Sequence, residues 1–441
     1  MKSNSLHYFA ISLAFIIHFT SCKKSENLTE RTLASTPERI IGAQFERNAS
    51  LPKDSVPHTA TIYNVGKGCG NLIIDGAVLK IKDSGLIKIK AGKYETITIK
   101  NILVESNKRV YIKNGGEVMV TGAMYTENLS NVTISGDNID HIQYGIKFID
   151  IPFRAIAMNG KMDGVTLRNL SFINVKDYVI AGERSNGAEF NYLGTPETRT
   201  QNFKILGCSF DNAGQIVFGG NLNKDLGEDT GFFKDVEVAF NVFKNTDAGT
   251  VCAFTNVQDF KIHHNYVNNI NLTNNNHNGV FYMQGNGDFY DNVLRNYQGN
   301  AIRMWPYSRG KIPATNSIYN NICFNTRKYG AFELQAFERN LVPDKTTYAN
   351  AKIYNNTVGQ MNTSHDWEGQ ILDLYVTGGT LQYYNNLGFD LYSSNGVQPV
   401  NMINNMSNTK IIQETNNTYL TDQGEINQLI DFIQSIREPK N

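Results

Sequence analysis

The chain has 441 residues, with 41 Lys and Arg against 41 Asp and Glu, and 41% of its residues are hydrophobic. This composition excludes a disordered, collagenous or coiled-coil protein and is typical of a globular, β-rich one. A formal net charge of zero provides no broad basic field, so we expect no nucleic-acid partner.

The first segment is predicted to be a signal peptide. Lys2 precedes an eleven-residue apolar run at residues 9–19, and small residues follow it up to Cys22. The run is too short to span a bilayer, which takes about 18 to 20 apolar residues. We therefore expect residues 1–21 to be removed.

The position of Cys22 after Thr20 and Ser21 resembles the lipobox of bacterial lipoproteins. The resemblance implies lipidation of Cys22, contact with a membrane only through that lipid, and a location in the bacterial cell envelope. A plain secreted protein is the alternative. The polar residues 22–59 are expected to form a flexible tether.

The other cysteines are Cys69, Cys208, Cys252 and Cys323. They form no CxxC pair and no zinc-like spacing with histidine, so we expect no structural metal site. They are expected to be free thiols inside a large core, although an exported protein offers disulfide formation as an alternative.

From residue 165 onward, one short pattern recurs, in which strands of alternating apolar and polar residues are broken at asparagine. The copies include VTLRNLSFINV, FKILGCSFDNA, VEVAFNVFKNT, FKIHHNYVNNI, NSIYNNICFNT and AKIYNNTVGQM. The asparagines taken as equivalent are Asn241, Asn265, Asn292, Asn321, Asn356, Asn386 and Asn405, at intervals of 19 to 35 residues. A constant strand pattern with variable intervals predicts stacked coils that carry loops of different length.

The asparagine column has a structural explanation. Asparagine tolerates a left-handed backbone at a bend, and its amide both donates and accepts hydrogen bonds. We expect these residues to form a ladder along the stack rather than to carry catalysis.

Upstream, residues 61–150 continue the same alternation, as in GCGNLIIDGAVLKIKDSGLIKIKAGKYETITIKNILV. Together with the asparagine column, these strands resemble the right-handed parallel β-helix superfamily of pectate-lyase-like proteins over residues 60–420. The resemblance implies an all-β, right-handed single-stranded parallel β-helix with three sheets per coil. It also implies, in many members, lyase or hydrolase activity on a polysaccharide in a surface groove.

The C-terminal segment has the pattern of an amphipathic helix. Asp422 and Glu425 suit its N-terminus, and Ile426, Leu429 and Ile433 follow at helical spacing, so a helix is predicted over residues 423–437. We expect residues 421–441 to cap the last coil, with a partner-binding helix as the alternative.

Four strands that begin at residues 249, 279, 300 and 330 share one alternation. The side chains predicted to point inward are Val251, Phe281, Ile302 and Phe332, followed by Ala253, Met283, Met304 and Leu334. Those predicted to point outward form two columns, Cys252, Tyr282, Arg303 and Glu333, and Phe254, Gln284, Trp305 and Gln335.

The outward columns suit a carbohydrate-facing surface. Trp305 and Tyr282 offer aromatic faces, Gln284 and Gln335 offer hydrogen bonds, and Arg303 offers a partner for a uronate carboxylate. The same side is expected to receive further groups from nearby loops, namely Tyr307, Arg309, Lys311, His263, His264 and His277. The alternative is a simple Arg303–Glu333 ion pair on a solvated sheet.

Two reactions suit such a groove. A lyase needs a cation, Arg303, Arg309 or Ca²⁺, beside the uronate carboxylate, and a base, for which Tyr282, His277 and Lys311 are candidates. A hydrolase needs two carboxylates, and the candidate pairs are Glu333 with Asp373 and Asp366 with Glu368.

We expect a monomeric, lipid-anchored lyase that acts on an acidic polysaccharide, with Glu333 orienting Arg303 or helping to hold a cation. No resident metal is assigned. A glycoside hydrolase, a non-catalytic glycan-binding lipoprotein and a structural or adhesive protein remain the alternatives.

Overall fold

The structure is a computed structural model that describes residues 50–53, 55–137, 143–182, 191–223, 225–271, 273–335, 342, 344–376, 378–397 and 402–438. The described residues belong to one compact unit, which comprises Pro37–Asn441. The predicted signal peptide and Cys22 lie outside them. In the part that the structure describes, no helix has the length and apolarity needed to cross a membrane.

The protein is an all-β protein with a long parallel sheet and one C-terminal α-helix. The strands of the first part are β1 (Thr61–Val65), β2 (Cys69–Asp75), β3 (Gly85–Leu103), β4 (Val110–Ser130), β5 (Val132–Ser135), β6 (Ile146–Ile149), β7 (Ile156–Asp163), β8 (Thr166–Arg168), β9 (Leu170–Val175), β10 (Ile180–Gly182), β11 (Thr200–Gln201), β12 (Lys204–Leu206), β13 (Ser209–Ala213), β14 (Ile216–Phe218), β15 (Leu222–Asn223), β16 (Glu228–Asp229), β17 (Phe233–Lys234), β18 (Glu237–Ala239) and β19 (Val242–Thr246).

The strands of the second part are β20 (Cys252–His263), β21 (Tyr266–Ile270), β22 (Gly279–Tyr290), β23 (Val293–Tyr297), β24 (Asn300–Pro306), β25 (Ser308–Arg309), β26 (Thr315–Tyr319), β27 (Ile322–Thr326), β28 (Phe332–Gln335), β29 (Thr346–Thr347), β30 (Ala349–Tyr354), β31 (Thr357–Met361), β32 (Leu372–Val376), β33 (Gly378–Tyr384), β34 (Leu387–Ser393), β35 (Gly396–Val397), β36 (Ile403–Asn405), β37 (Lys410–Thr415) and β38 (Thr418–Tyr419). The helix α1 spans Gln423–Ser435, and Pro196–Thr198 forms a short 3-10 turn.

Successive coils pair in parallel along three faces, which we name by their strands. Face 1 contains β18, β20, β22, β26, β30, β33 and β37. Face 2 contains β14, β20, β22, β24, β28, β32 and β36. Face 3 contains β19, β21, β23, β27, β31, β34 and β38. Long strands such as β22 bend and contribute to two faces.

The interior is filled by side chains that repeat from coil to coil. Phe148, Phe172, Phe210 and Phe243 stack with ring centroids 4.6–4.9 Å apart. This follows from parallel pairing, because equivalent residues in neighbouring strands lie about 4.8 Å apart.

The predicted asparagine ladder is present at the bend between faces 1 and 3. Asn292 shows its geometry: its backbone N–H and its Nδ2 both donate to Asn321 Oδ1, at 3.1 and 3.0 Å, and Nδ2 also donates to Ile262 O at 3.0 Å. The ladder runs through Asn241, Asn265, Asn292, Asn321, Asn356, Asn386 and Asn417.

Two details of the ladder differ from the prediction. Asn386 donates its side-chain hydrogen bond to Asn417 and not to Asn405, because the 19 residues between Asn386 and Asn405 are too few for a full coil. Asn405 is hydrogen-bonded to Thr409. The left-handed backbone belongs to the preceding residue, as at Asn320 with φ 55° and Asn355 with φ 55°. One residue therefore makes the bend, and the residue that follows it forms the ladder.

A second ladder, which the sequence analysis missed, stands on the outer side of the same bend. Tyr290, Tyr319, Tyr354 and Tyr384 stack with centroids 4.8–5.1 Å apart and ring planes within 9° of parallel. Its signal was present in the sequence as the repeated Tyr-Asn-Asn triplet.

The predicted helix forms, but it lies along face 3 instead of only over the last coil. Its buried residues are Ile426, Leu429, Phe432 and Ile433. They pack against outward side chains of several coils, which include Val242, Tyr266, Val293, Ile322 and Phe389. Arg295 Nη1 donates to Ile433 O and Gln434 O at 3.0 and 3.1 Å, where a helix presents unpaired carbonyls.

Two residues near the start of the described chain, Leu51 and Pro52, contact the rest of the fold within the segment predicted to be a tether. Leu51 contacts a small apolar cluster of Leu206, Ala239 and Phe240, and Arg168 Nη2 donates to Pro52 O at 2.5 Å. Among the remaining cysteines, Cys208, Cys252 and Cys323 are buried free thiols, as expected, whereas Cys69 is exposed.

Replacing Asn292 with Ala should lower the free energy of unfolding by about 1–3 kcal/mol, because buried backbone groups of Asn265 and Ile262 lose their partner. Thermal or denaturant unfolding measures this. The control is Asn427→Ala on the exposed side of α1, which should stay within about 0.5 kcal/mol. Equal free energies of unfolding in the two variants would show that the ladder does not stabilise the fold.

Candidate functional site

The predicted outward column forms on face 2. Cross-strand pairing places Tyr282 beside Arg303, Arg303 beside Glu333, and Glu333 beside Asp373. Asn404 follows as the next residue of the column. Five neighbouring strands thus carry one line of polar side chains.

The column begins one residue away from where the sequence placed it. Cys252 and Phe254 pair with Phe281 and Met283 and are buried, so Ala253 is the outward residue beside Tyr282. The glycines used for the alignment, Gly249 and Gly279, are not equivalent, because the turn before β20 differs in length.

Glu333 is the centre of the charged group. Its side chain is 0% exposed, and Oε1 accepts a hydrogen bond from Arg303 Nε at 2.6 Å. Oε2 lies 2.7 Å from His277 Nε2. The buried carboxylate is thus hydrogen-bonded to the Arg303 guanidinium and lies against the His277 ring without a hydrogen bond to it.

The tautomer of His277 follows from its other contact. Nε2 lies 3.0 Å from Asn300 Oδ1, while Asn300 Nδ2 donates to Gly330 O at 3.1 Å. This orientation makes Asn300 Oδ1 an acceptor, so His277 carries its proton on Nε2 when neutral. The Nδ1 atom of neutral His277 then carries the lone pair that can accept a proton.

Further contacts hold the ring and the guanidinium. His277 stacks on Tyr329 at 4.1 Å with planes 11° apart, and its carbonyl accepts from Arg303 Nη1 at 3.2 Å. Among the described residues, Arg303 Nη2 makes no hydrogen bond. The half-buried Arg303 therefore has one N–H₂ group available for a ligand.

Tyr282 and Gln284 occupy the next coil. Gln284 Nε2 donates to the Tyr282 hydroxyl at 2.6 Å, and the Tyr282 ring lies edge-on to Trp305 at 5.9 Å. Burial raises the pKa of Tyr282, so this residue stays a neutral phenol near neutral pH. This favours Tyr282 as a proton donor over its predicted role as a base.

Asp373 is a carboxyl group of the column whose pKa is raised. It is 5% exposed, and burial together with the neighbouring Glu333 raises its pKa to about 7. Asn404 Nδ2 donates to its Oδ1 at 3.3 Å. The sequence carried a signal for this residue, because Leu372-Asp373-Leu374 repeats the pattern Phe332-Glu333-Leu334.

Several predicted residues lie away from this column. Tyr307 is 0% exposed and donates its hydroxyl proton to Asn256 Oδ1, so no ligand reaches it. Arg309 forms a two-point ion pair with the buried Asp229 at 2.5 and 2.8 Å and packs on the Phe232 ring. The chain bends after β24, so the alternation of the strand no longer predicts on which side these side chains lie.

The other two histidines predicted for the site, His263 and His264, belong to a different face. His263 stacks on Tyr290 of face 1, and its Nδ1 lies 2.8 Å from His264 Nδ1. Burial lowers the pKa of His264 to about 4. These two rings therefore do not join His277.

The remaining candidates have different surroundings. Gln335 is half-buried in β28, Lys311 is exposed in the loop after Arg309, and Trp305 packs against Leu222, Tyr307 and Val342. Across the described residues, no group of three or more His, Cys, Asp or Glu side chains is arranged to hold a metal ion.

Replacing Asp373 with Asn should change how stability depends on pH. Because the folded-state pKa of Asp373 is raised, the folded protein holds a proton that the unfolded chain has lost, and stability falls as pH rises from about 4 to about 7. Asn keeps the amide contact without this titration. Melting temperatures at about pH 5 and about pH 8 should therefore differ less in the variant than in the wild type.

The exposed Asp225, replaced by Asn, is the matched control and should follow the wild type at both pH values. An unchanged pH dependence in Asp373→Asn would show that this carboxyl titrates normally.

Comparisons with known proteins give structural likenesses alone. No family model matches the chain, and no curated protein matches it significantly. The chain is similar to a PL6 family polysaccharide lyase from Pseudopedobacter saltans, with 12% identity, coverage of 80% of this chain and 93% of that one, and a TM-score of 0.39.

It is also similar to the catalytic domain of a GH87 alpha-1,3-glucanase variant, solved with tetrasaccharides and with nigerose. Both matches have 13% identity and cover 77% of this chain and 71% of that one, with TM-scores of 0.31 and 0.28. Identities and TM-scores this low leave the chemistry of this chain to be argued from its own residues.

Proposed function

We propose that this protein is a polysaccharide lyase that cleaves a uronate-containing glycan by β-elimination on face 2. One observation carries the proposal: Asn300 orients His277 beside Arg303, and among the described residues neither His277 Nδ1 nor Arg303 Nη2 has a hydrogen-bond partner. Elimination needs both a base for the proton next to a carboxylate and a cation to stabilise the charge that develops on that carboxylate.

Each residue has a defined part in this mechanism. Arg303 Nη2 binds the uronate carboxylate, and His277 Nδ1 takes the proton from C5. The electrons of that C–H bond form the C4–C5 double bond as the C4–O bond breaks. The neutral Tyr282, beside Arg303 in the column, donates its phenolic proton to the departing oxygen.

The geometry supports a hydrolase less well. Two-carboxylate hydrolysis requires the carboxyl groups to stand on either side of the scissile bond. Glu333 and Asp373 are neighbours in one column and are both buried, with Glu333 paired to Arg303. Asp366 is exposed and pairs with Lys328 at 3.1 Å.

We also infer that the coils wind in a right-handed sense, as expected for the pectate-lyase-like superfamily. The three faces of parallel strands support this inference, because crossover connections between parallel strands are right-handed in about 98% of cases. The predicted groove would then lie on face 2.

The activity test is the release of unsaturated sugars, which absorb in the near ultraviolet, from polymers of guluronate, galacturonate and glucuronate. Arg303→Ala and His277→Ala should each lower turnover by about 100-fold or more and keep the wild-type fold by circular dichroism. Chemical reduction of the uronate carboxyls should abolish cleavage, since Arg303 then has no anion to bind.

Lys311→Ala is the control, because Lys311 is exposed and has no place in this mechanism. Full activity of His277→Ala would place the base elsewhere. Binding of the polymers without any unsaturated product would favour the non-catalytic glycan-binding alternative.

We further propose that Cys22 is lipidated and anchors the protein to the bacterial cell envelope. The apolar run at residues 9–19, followed by Ser21 and Cys22, supports this. Mass spectrometry of detergent-extracted protein should show Cys22 as a diacylglycerol-modified N-terminus, and Cys22→Ser should release the protein into the soluble fraction. A soluble wild-type protein with a free Cys22 thiol would contradict it.

A further inference from the structure

Both tryptophans of the chain border the charged column. Trp305 lies two residues after Arg303 in β24, and Trp367 lies in the loop between β31 and β32. The Trp367 side chain is 46% exposed, which is a large apolar surface to leave in water.

A series of ring contacts connects Trp367 to the proposed base. The Trp367 ring lies edge-on to Tyr329 at 5.6 Å, and Tyr329 stacks on His277. Lys328 Nζ lies 5.6 Å from the ring centroids of both Trp367 and Tyr329. The exposed tryptophan is therefore continuous with the site.

The loop that presents this ring is held by hydrogen bonds to its surroundings. Asn362 Nδ2 donates to Trp367 O at 2.7 Å, Ser364 Oγ donates to Arg327 O at 2.6 Å, and Gly369 N donates to Tyr392 O at 2.8 Å. A ring held in this way loses little conformational entropy when it binds a ligand.

The two tryptophans contact different members of the site: Trp305 lies edge-on to Tyr282, and Trp367 lies edge-on to Tyr329. Pairing of Arg303 with Glu333 brings Trp305 level with Gln335, whereas Trp367 contacts Tyr329, six residues earlier in the chain. Tyr329 precedes β28, and six residues of chain span at most about 20 Å. His277 stacks on Tyr329, and its carbonyl accepts a hydrogen bond from Arg303.

We propose that Trp367 is a second sugar-binding platform, which makes the site select an extended polysaccharide over a short oligosaccharide. The proposal rests on the proposed function, since the chain bound at Trp305 and Arg303 is the one that extends past His277 to Trp367. The flat ring would pack against the apolar face of a sugar. A ligand too short to reach Trp367 would lose that contact.

The test uses single-tryptophan proteins. Trp305→Phe leaves Trp367 as the sole tryptophan, and its fluorescence is read by stopped flow, before turnover, during mixing with dimers and octamers of guluronate, galacturonate and glucuronate. Octamers of the substrate glycan should change the emission and dimers should not. Trp367→Ala should bind the octamer about tenfold more weakly, and Trp367→Phe should restore most of the affinity.

Ile312→Ala is the control, because Ile312 is also a solvent-exposed apolar residue and lies in another loop. Unchanged octamer affinity in Trp367→Ala, or no emission change with any octamer, would overturn the platform. An emission change without unsaturated product would support the platform and contradict the lyase. Formation of unsaturated product, together with wild-type octamer affinity in Trp367→Ala, would support the lyase and contradict the platform.

Discussion

The stacking of the coils depends on buried amide groups at one bend. A chain that turns sharply inside a protein exposes backbone N–H and C=O groups that have no strand partner, and each unpaired group costs stability. The side chain of Asn292 satisfies a backbone carbonyl of one coil, while Asn321 satisfies the N–H of Asn292. Repetition of this contact fixes how each coil sits on the next.

That register determines the chemistry of face 2. Because side chains alternate with a period of two, a slip of one residue would turn Glu333 into the apolar interior and expose Phe332. With the register fixed, Arg303, Glu333 and Asp373 lie side by side, and the buried carboxylate of Glu333 is paired with Arg303 and lies against the His277 ring. The candidate site is thus a consequence of a structural repeat.

The features that could be predicted from the sequence are those that depend on residue alternation within a strand or on helical spacing. The outward positions of Tyr282, Arg303 and Glu333 followed from the period of the strands, and the helix at Gln423–Ser435 followed from its cap and apolar spacing. Tyr307 was misplaced because it follows a corner where alternation ends.

Other features depend on contacts between residues that are far apart in the sequence, which no local pattern predicts. Asn417 replaces Asn405 in the ladder because coil length, not the residue type, decides which asparagines meet. The tautomer of His277 depends on Asn300 and Gly330, which come together only after the coils stack. The packing of α1 depends on outward apolar residues of β19, β21 and β23, each unremarkable in its own strand.

The position of α1 affects how the stack can come apart. Proteins built from repeated units tend to lose structure from their ends, because a terminal unit has one neighbour instead of two. Here Arg295 and Lys244 hold the end of α1 and Glu438 against coils in the middle of the chain. The terminal coils cannot separate singly without breaking these contacts, so we expect the C-terminal half to open as one cooperative unit.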